Sequence, residues 1–214
     1  DDRDYVLTTT TTSLPKNYYN ADLLGPVKNQ GRTNACTGYA IAALIQHVLA
    51  SEMEVPMSVL NVSEMFQWWI YRDYEGNTGK NSGCHLRDGF KAILRDGFVN
   101  ENYYPNNSNY WDAPSLEAEL AGNLSAKWLV ERLGKYYVVP KRDIQEVIAS
   151  GKVVVFGMLL DSDFYRVGPR TKRIDSYDPE KKTGAYAMII CGYRTNDDGS
   201  VDYLIRNSWG ENWG

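Results

Sequence analysis

The sequence predicts an α+β protein with two lobes. Apolar residues recur at helical spacing through the first half, strand-like runs dominate from residue 136 onward, and a long polar stretch lies between them. Helices in one block and strands in another, without alternation, argue for segregated layers. The 214 residues suffice for one large domain or for two modest lobes around a shared cleft.

Residues 1–13 end in a threonine run and read as an extended lead-in. Residues 14–27 are turn-rich, with Pro15, Gly25 and Pro26. A helix begins near Cys36: Tyr39, Ala40, Ala43, Leu44 and His47 share one side, with Ile41, Ile45 and Val48 beside them. Such breadth marks a buried helix. A second helix follows Ser63, a suitable cap, and runs through Trp68, Trp69 and Tyr71. A third spans about Arg87 to Arg95 and stops at Gly97. Residues 97–125, rich in Asn, Tyr, Pro and Asp, read as a long loop crossing between lobes. Strands are expected over Tyr136–Val139, Val153–Leu159, Ala187–Tyr193 and Tyr203–Arg206. A short helix over Asp143–Ser150, capped by Asp143, closes at Gly151, and Asn196-Asp197-Asp198-Gly199 reads as a hairpin turn. The expected organisation is therefore a mainly helical lobe over 14–115 carrying Cys36 and a mainly β lobe over 116–214.

Apolar residues make up 43% and charged residues 23%, and the net charge is −4. A slightly acidic chain has no electrostatic reason to seek nucleic acid or anionic membrane. There is no run of 18 apolar residues, so no membrane span is expected, and Asp1–Asp4 do not resemble a signal peptide. Cys36, Cys84 and Cys191 could form at most one bridge, so folding must rest on core packing. The redox compartment stays open, an extracellular or cell-envelope setting being favoured. Asn-x-Ser sequons at Asn61, Asn106 and Asn123 are no more than chance supplies. Composition carries no signal of oligomeric state, metal or cofactor.

Two segments carry chemistry. In Gln30-Gly31-Arg32-Thr33-Asn34-Ala35-Cys36-Thr37-Gly38-Tyr39-Ala40, a cysteine sits where a polar loop meets a buried helix. Backbone N–H groups at a helix start favour a thiolate, and the Gln30 amide could serve an oxyanion beside it. The plain alternative is a buried cysteine at a helix start, the better reading of this segment alone. In Tyr203-Leu204-Ile205-Arg206-Asn207-Ser208-Trp209-Gly210-Glu211-Asn212-Trp213-Gly214, a strand delivers an asparagine and then two Trp-Gly pairs. An asparagine there can orient an imidazole, and a tryptophan beside it can shield that bond from water. The plain alternative is a tryptophan-rich turn filling a core.

Taken together, the segments resemble the papain family of cysteine peptidases over nearly the whole chain. Gln-Gly-x-x-x-x-Cys matches the family's oxyanion glutamine and nucleophile, and Asn-Ser-Trp-Gly-x-x-Trp-Gly matches its orienting asparagine. Val62-Ser63-Glu64 resembles a family helix start, and Ile144–Val155 its helix-to-strand segment. Leu86-Arg87-Asp88-Gly89-Phe90-Lys91, Gly97 and Tyr104-Pro105 resemble a disulfide-poor microbial branch. The resemblance implies a helical lobe and a β-barrel-like lobe with the active-site cleft between them. It implies a peptide or protein ligand and needs no cofactor or metal. It also places Leu86, Arg87, Asp88, Gly89, Gly157, Gly184, Ala185 and Ala187 in the non-primed pocket, with Trp209 also against the substrate.

The chain departs from the family pattern at the base. The family carries His-Ala-Val-x-x-x-Gly-Tyr, and the matching run here is Tyr186-Ala187-Met188-Ile189-Ile190-Cys191-Gly192-Tyr193. Tyr186 thus falls on the histidine position, 150 residues after Cys36. His47 lies about 16 Å along the helix from Cys36, too far to bond it. His85 reads as a rim residue. Tyrosine is neutral at pH 7 and cannot form the thiolate–imidazolium pair. Asn34-Ala35 replaces the family's Gly-Ser, and the side chain at 34 could crowd the cleft. Thr33 stands where many members have a cysteine that pairs near position 84. Three readings follow: a pseudo-peptidase that binds without cutting, an active endopeptidase carrying an introduced inactivating substitution at 186, or a Cys36-dependent acyl or amide transferase. Asn34-Ala35 favours the first.

Overall fold

The computed structural model describes residues 5–6, 13–132 and 135–214. Most of the lead-in expected over 1–13 lies outside them. Strand β1 (Tyr5–Val6) pairs in parallel with β3 (Tyr137–Val138), and β2 (Asn17–Tyr19) follows β1 in the chain. Helix α1 (Cys36–Met53) is apolar all round and is buried from Cys36 through Ala43. Helix α2 (Glu64–Tyr74) starts on Ser63, whose Oγ accepts the Phe66 N–H at 3.0 Å. The same hydroxyl donates to the Tyr104 carbonyl, tying α2 to the segment behind it. Gly38 lets α1 and α2 meet: a Cβ there would come 2.7 Å from the Glu64 carbonyl and 2.9 Å from Trp68 Cβ. Helix α3 (Leu86–Asp96) stops at Gly97, whose φ of 73° terminates it.

The loop expected over 97–125 needs correcting. Its second part enters α4 (Leu116–Arg132), capped by Ser115, whose Oγ accepts the Ala118 N–H at 3.2 Å. Ala118, Gly122, Ala126 and Leu129 face inward, and Trp128 meets Phe98 edge-on at 6.5 Å. Leu116, Leu120 and Leu124 point to solvent. With apolar residues on both faces, α4 shows no clean stripe at the helical period, and the Asn- and Pro-rich run before it masks its start. Since Ala118 and Leu129 join the core formed by α1, α2 and α3, the helical layer extends through residue 132, past the boundary expected at 115.

The second layer is a sheet around β5 (Lys182–Thr195). It pairs antiparallel with β4 (Val154–Asp161), which follows the short helix α5 (Ile144–Ala149), with β6 (Val201–Arg206), and with β2. Tyr18 lies opposite Tyr193, so the first half of the chain contributes a strand to the second layer. Among the described residues the sheet is open and four-stranded, where closure into a barrel-like lobe was expected. The turn at 196–199 closes as expected, with Asn196 N–H donating to the Ser200 carbonyl at 2.8 Å. Asp143 precedes α5 without the expected side-chain cap. No helix among the described residues is long and apolar enough to cross a membrane.

The layers meet along α1. Leu24, Cys36, Ala40 and Ala43 pack against Val153, Ala187, Ile189 and Cys191 of the sheet side. Further along, buried His47 donates from Nε2 to the Gly151 carbonyl at 2.9 Å, while its Nδ1 is buried without a protein partner. That carbonyl can only accept, so Nε2 carries a hydrogen. Burial, aided by nearby Lys152 and opposed by the Gly151 bond and Glu52, holds its pKa below the ordinary histidine value. The unfolded chain titrates this group near 6.5, so its stabilising contribution is full above that pH and is lost as pH falls toward the lower folded value. Between pH 7.5 and 5.5, the parent should lose measurably more stability than His47→Gln in urea unfolding. Equal losses would contradict this.

Candidate active site

Cys36 opens α1 and is 7% exposed. The residue before it, Ala35, has no side chain with which to cap the helix. Ala187 N–H and the N–H groups of Thr37 and Cys36 favour the thiolate, while the Thr37 hydroxyl gives its hydrogen to the Cys84 carbonyl. Burial outweighs them and holds the thiol above its ordinary range, so Cys36 is protonated at neutral pH.

Above the thiol, two hydroxyls from the sheet side converge on one oxygen. Gln30 Oε1 accepts from Ser208 Oγ at 2.5 Å and from the Tyr186 hydroxyl in a short contact. Gln30 Nε2 donates to the Thr33 carbonyl at 2.7 Å. A carbonyl can only accept, so the amide cannot be turned around, and Oε1 is the atom facing Tyr186 and Ser208. One Nε2 hydrogen remains for an oxyanion. The backbone adds Gln30 N–H to the Ser208 carbonyl at 2.9 Å and Gly210 N–H to the Lys28 carbonyl at 3.1 Å.

Tyr186 is half-buried between Cys36 and an aromatic group. Its ring meets Trp209 at 5.2 Å, and Tyr165 stacks on Trp209 at 5.3 Å. Phe164 and Trp213 pack beneath. Asp161 holds this turn, its carboxylate accepting the N–H groups of Asp178, Asp163 and Phe164. These bonds, that from Asp178 first, keep it below the usual carboxylate range. Burial drives the Tyr186 hydroxyl well above its ordinary pKa, so it too is neutral. Asn207 is buried, but its Oδ1 accepts the N–H of Ser208 at 2.7 Å and its Nδ2 has no protein partner. The carboxamide makes no hydrogen bond to Tyr186.

Residues 15–214 match the model of the papain family cysteine protease. The chain belongs to the papain family of cysteine proteases. An uncharacterized peptidase C1-like protein of Acanthamoeba polyphaga mimivirus is 26% identical over 195 residues, covering 87% of this chain and 60% of that protein. A cysteine protease of Blomia tropicalis is 25% identical over 97% of the chain and 61% of its own length. The chain thus spans about three-fifths of these relatives. Xylellain, a cysteine protease from Xylella fastidiosa, superposes with a TM-score of 0.80 at 23% identity, covering 100% of this chain and 83% of that one. Procathepsin L 3 of Tenebrio molitor gives 0.69 at 18% identity, over 99% and 66% of the two chains.

Some of the residues expected in a non-primed pocket lie near one another. Gly157 lies opposite Ala187 on the sheet, and a Cβ on Gly157 would sit 3.6 Å from Leu86 Cδ1. Gly184 and Ala185 are exposed further out, and Gly184 faces open space. Half-buried Arg87 and Asp88 lie on the first turn of α3, Asp88 within 3.7 Å of Lys91 and 3.9 Å of His85. Gly89 is different: it is buried against Ile41, where a Cβ would come within 2.9 Å, so it packs α3 onto α1. Glu75, His85 and Asp88 each bring one ligand atom within 4.8 Å of the others, but His85 Nδ1 is already paired with Glu75 at 3.2 Å. Neither histidine bonds Cys36. Asn34 does not crowd the cleft, since its amide reaches away to Asn81. Sequence reasoning passed over Ser208, although it lies inside the Asn-Ser-Trp-Gly run, and Tyr165, for which no motif signals.

A thiol held protonated by burial should show a simple pH response. Alkylation of Cys36 by iodoacetamide should climb steadily from pH 7 to pH 9, with no plateau on the acid side. A flat rate below pH 7 would show a stabilised thiolate instead.

Proposed function

We propose that this domain binds an extended peptide or protein segment in the cleft between its layers and hydrolyses it slowly or not at all. The resemblance of the 186–193 run to His-Ala-Val-x-x-x-Gly-Tyr aligns Tyr186 with the family's base, and the reading rests on that alignment. Amide hydrolysis by a thiol needs a thiolate to attack and an acid to protonate the leaving amine. Here the thiol is protonated, and the group above it is a phenol committed to Gln30. Loss of one triad member costs several orders of magnitude in rate. The rest supports retained binding: the Cys36 N–H and the remaining Gln30 hydrogen can donate to a carbonyl oxygen, and Gly157, Ala187 and Leu86 lie together on the apolar side of the sheet. The rival reading, an active endopeptidase family site altered only at 186, draws on Gln30, Cys36, Asn207 and Trp209 being present together.

Tyr186→His supplies a base and frees Gln30 from the phenol. Its kcat/KM for a fluorogenic peptide should exceed the parent's by at least about 100-fold, and Cys36→Ala in the same background should remove the gain. A folded Tyr186→His protein that gains nothing would mean that 186 is not what limits catalysis.

A further inference from the structure

Helix α1 has an unusual entrance. A capping side chain at position 35 would take up N–H groups of the first turn, the groups that surround the Cys36 thiol. Ala35 leaves them unspent, and the entering loop is held from outside instead. Asn34 N–H donates to Asn81 Oδ1 at 2.8 Å, Asn34 Nδ2 donates to the Asn81 carbonyl at 2.7 Å, and Asn81 Nδ2 donates to the Arg32 carbonyl at 3.2 Å. The Asn34 N–H can only donate and the Arg32 carbonyl can only accept, so the Asn81 amide has a single workable orientation. A second tie lies just past the thiol, where the Thr37 hydroxyl donates to the Cys84 carbonyl at 2.9 Å. The two ties bracket Cys36 and fasten both sides of it to the segment from 81 to 84.

We infer that Asn81 is a positioning residue for Cys36, gripping the loop so that the first-turn N–H groups stay aimed at the thiol and the space beside it. This rests on Cys36 being the nucleophile of the site. Without the grip, the 32–34 loop relaxes, the N–H groups lose alignment, and the thiolate loses support. Asn34 and Asn81 are both exposed, so their bonds contribute little to global stability, and the effect falls on the thiol.

The test is iodoacetamide alkylation of the full chain between pH 6 and 10, with labelling at Cys36, Cys84 and Cys191 separated by peptide mass spectrometry. Asn81→Ala should raise the Cys36 titration midpoint and slow its labelling at pH 8 about threefold or more, with Tm within a few degrees of the parent. Asn34→Gly, which keeps the N–H bond and loses the Nδ2 bond, should move both in the same direction by less, and it decides the matter if Asn81→Ala does not fold. An unchanged Cys36 profile overturns the inference, whether or not Tm falls. Should Cys36 of the parent label no faster than buried Cys191 at pH 8, the reading of Cys36 as nucleophile fails, and this inference with it.

Discussion

The carboxamide of Gln30 is the point on which the site depends. It belongs to the loop leading into α1, yet its oxygen takes hydroxyl bonds from Tyr186 on β5 and Ser208 beyond β6, while its nitrogen is held by Thr33 in its own loop. Buried polar atoms must find partners, and here each partner comes from a different segment. The residues on either side follow: 28–30 and 208–210 are paired through their backbones, and Asn29 bridges Trp209. With those edges joined, Cys36 lies under Ala187 and Tyr186 is fixed between the thiol and Trp209.

That arrangement is electrostatically quiet. Burial raises the thiols of Cys36, Cys84 and Cys191, the latter two to about 12 and about 11. It also raises the phenols of Tyr39 and Tyr186. Charge in the interior sits in the Lys28 ammonium bonded to Glu64 and Glu101 behind the site, in Arg72 under Trp68, and in the Asp161 carboxylate that holds the turn beneath Trp209. In the reading proposed above, such a cleft holds a peptide by shape and hydrogen bonds without a group ready to move a proton at neutral pH.

Much of this was legible in the residues. The breadth of apolar positions around Cys36 announced a buried α1, Ser63 and Gly97 marked real helix ends, and Asn207-Ser208-Trp209 pointed to the opposite side of the cleft. What stayed hidden had a physical cause. α4 carries leucines on its exposed face, which blurs the period that reveals a helix. Gly89 stands among residues expected in the pocket, and only the approach of Ile41 shows its packing role. The Asn34–Asn81 bonds join residues 47 apart by ordinary polar side chains, a pairing no local pattern encodes.

The central claim is that the unmodified domain lacks a working base beside Cys36. The most direct measurement is turnover of a fluorogenic peptide library by the parent chain, side by side with Cys36→Ala, from pH 5 to 9. The account predicts that the two proteins are indistinguishable near neutral pH. Brisk cleavage by the parent that disappears in Cys36→Ala would show that Tyr186 or another group serves as the base, and would contradict it.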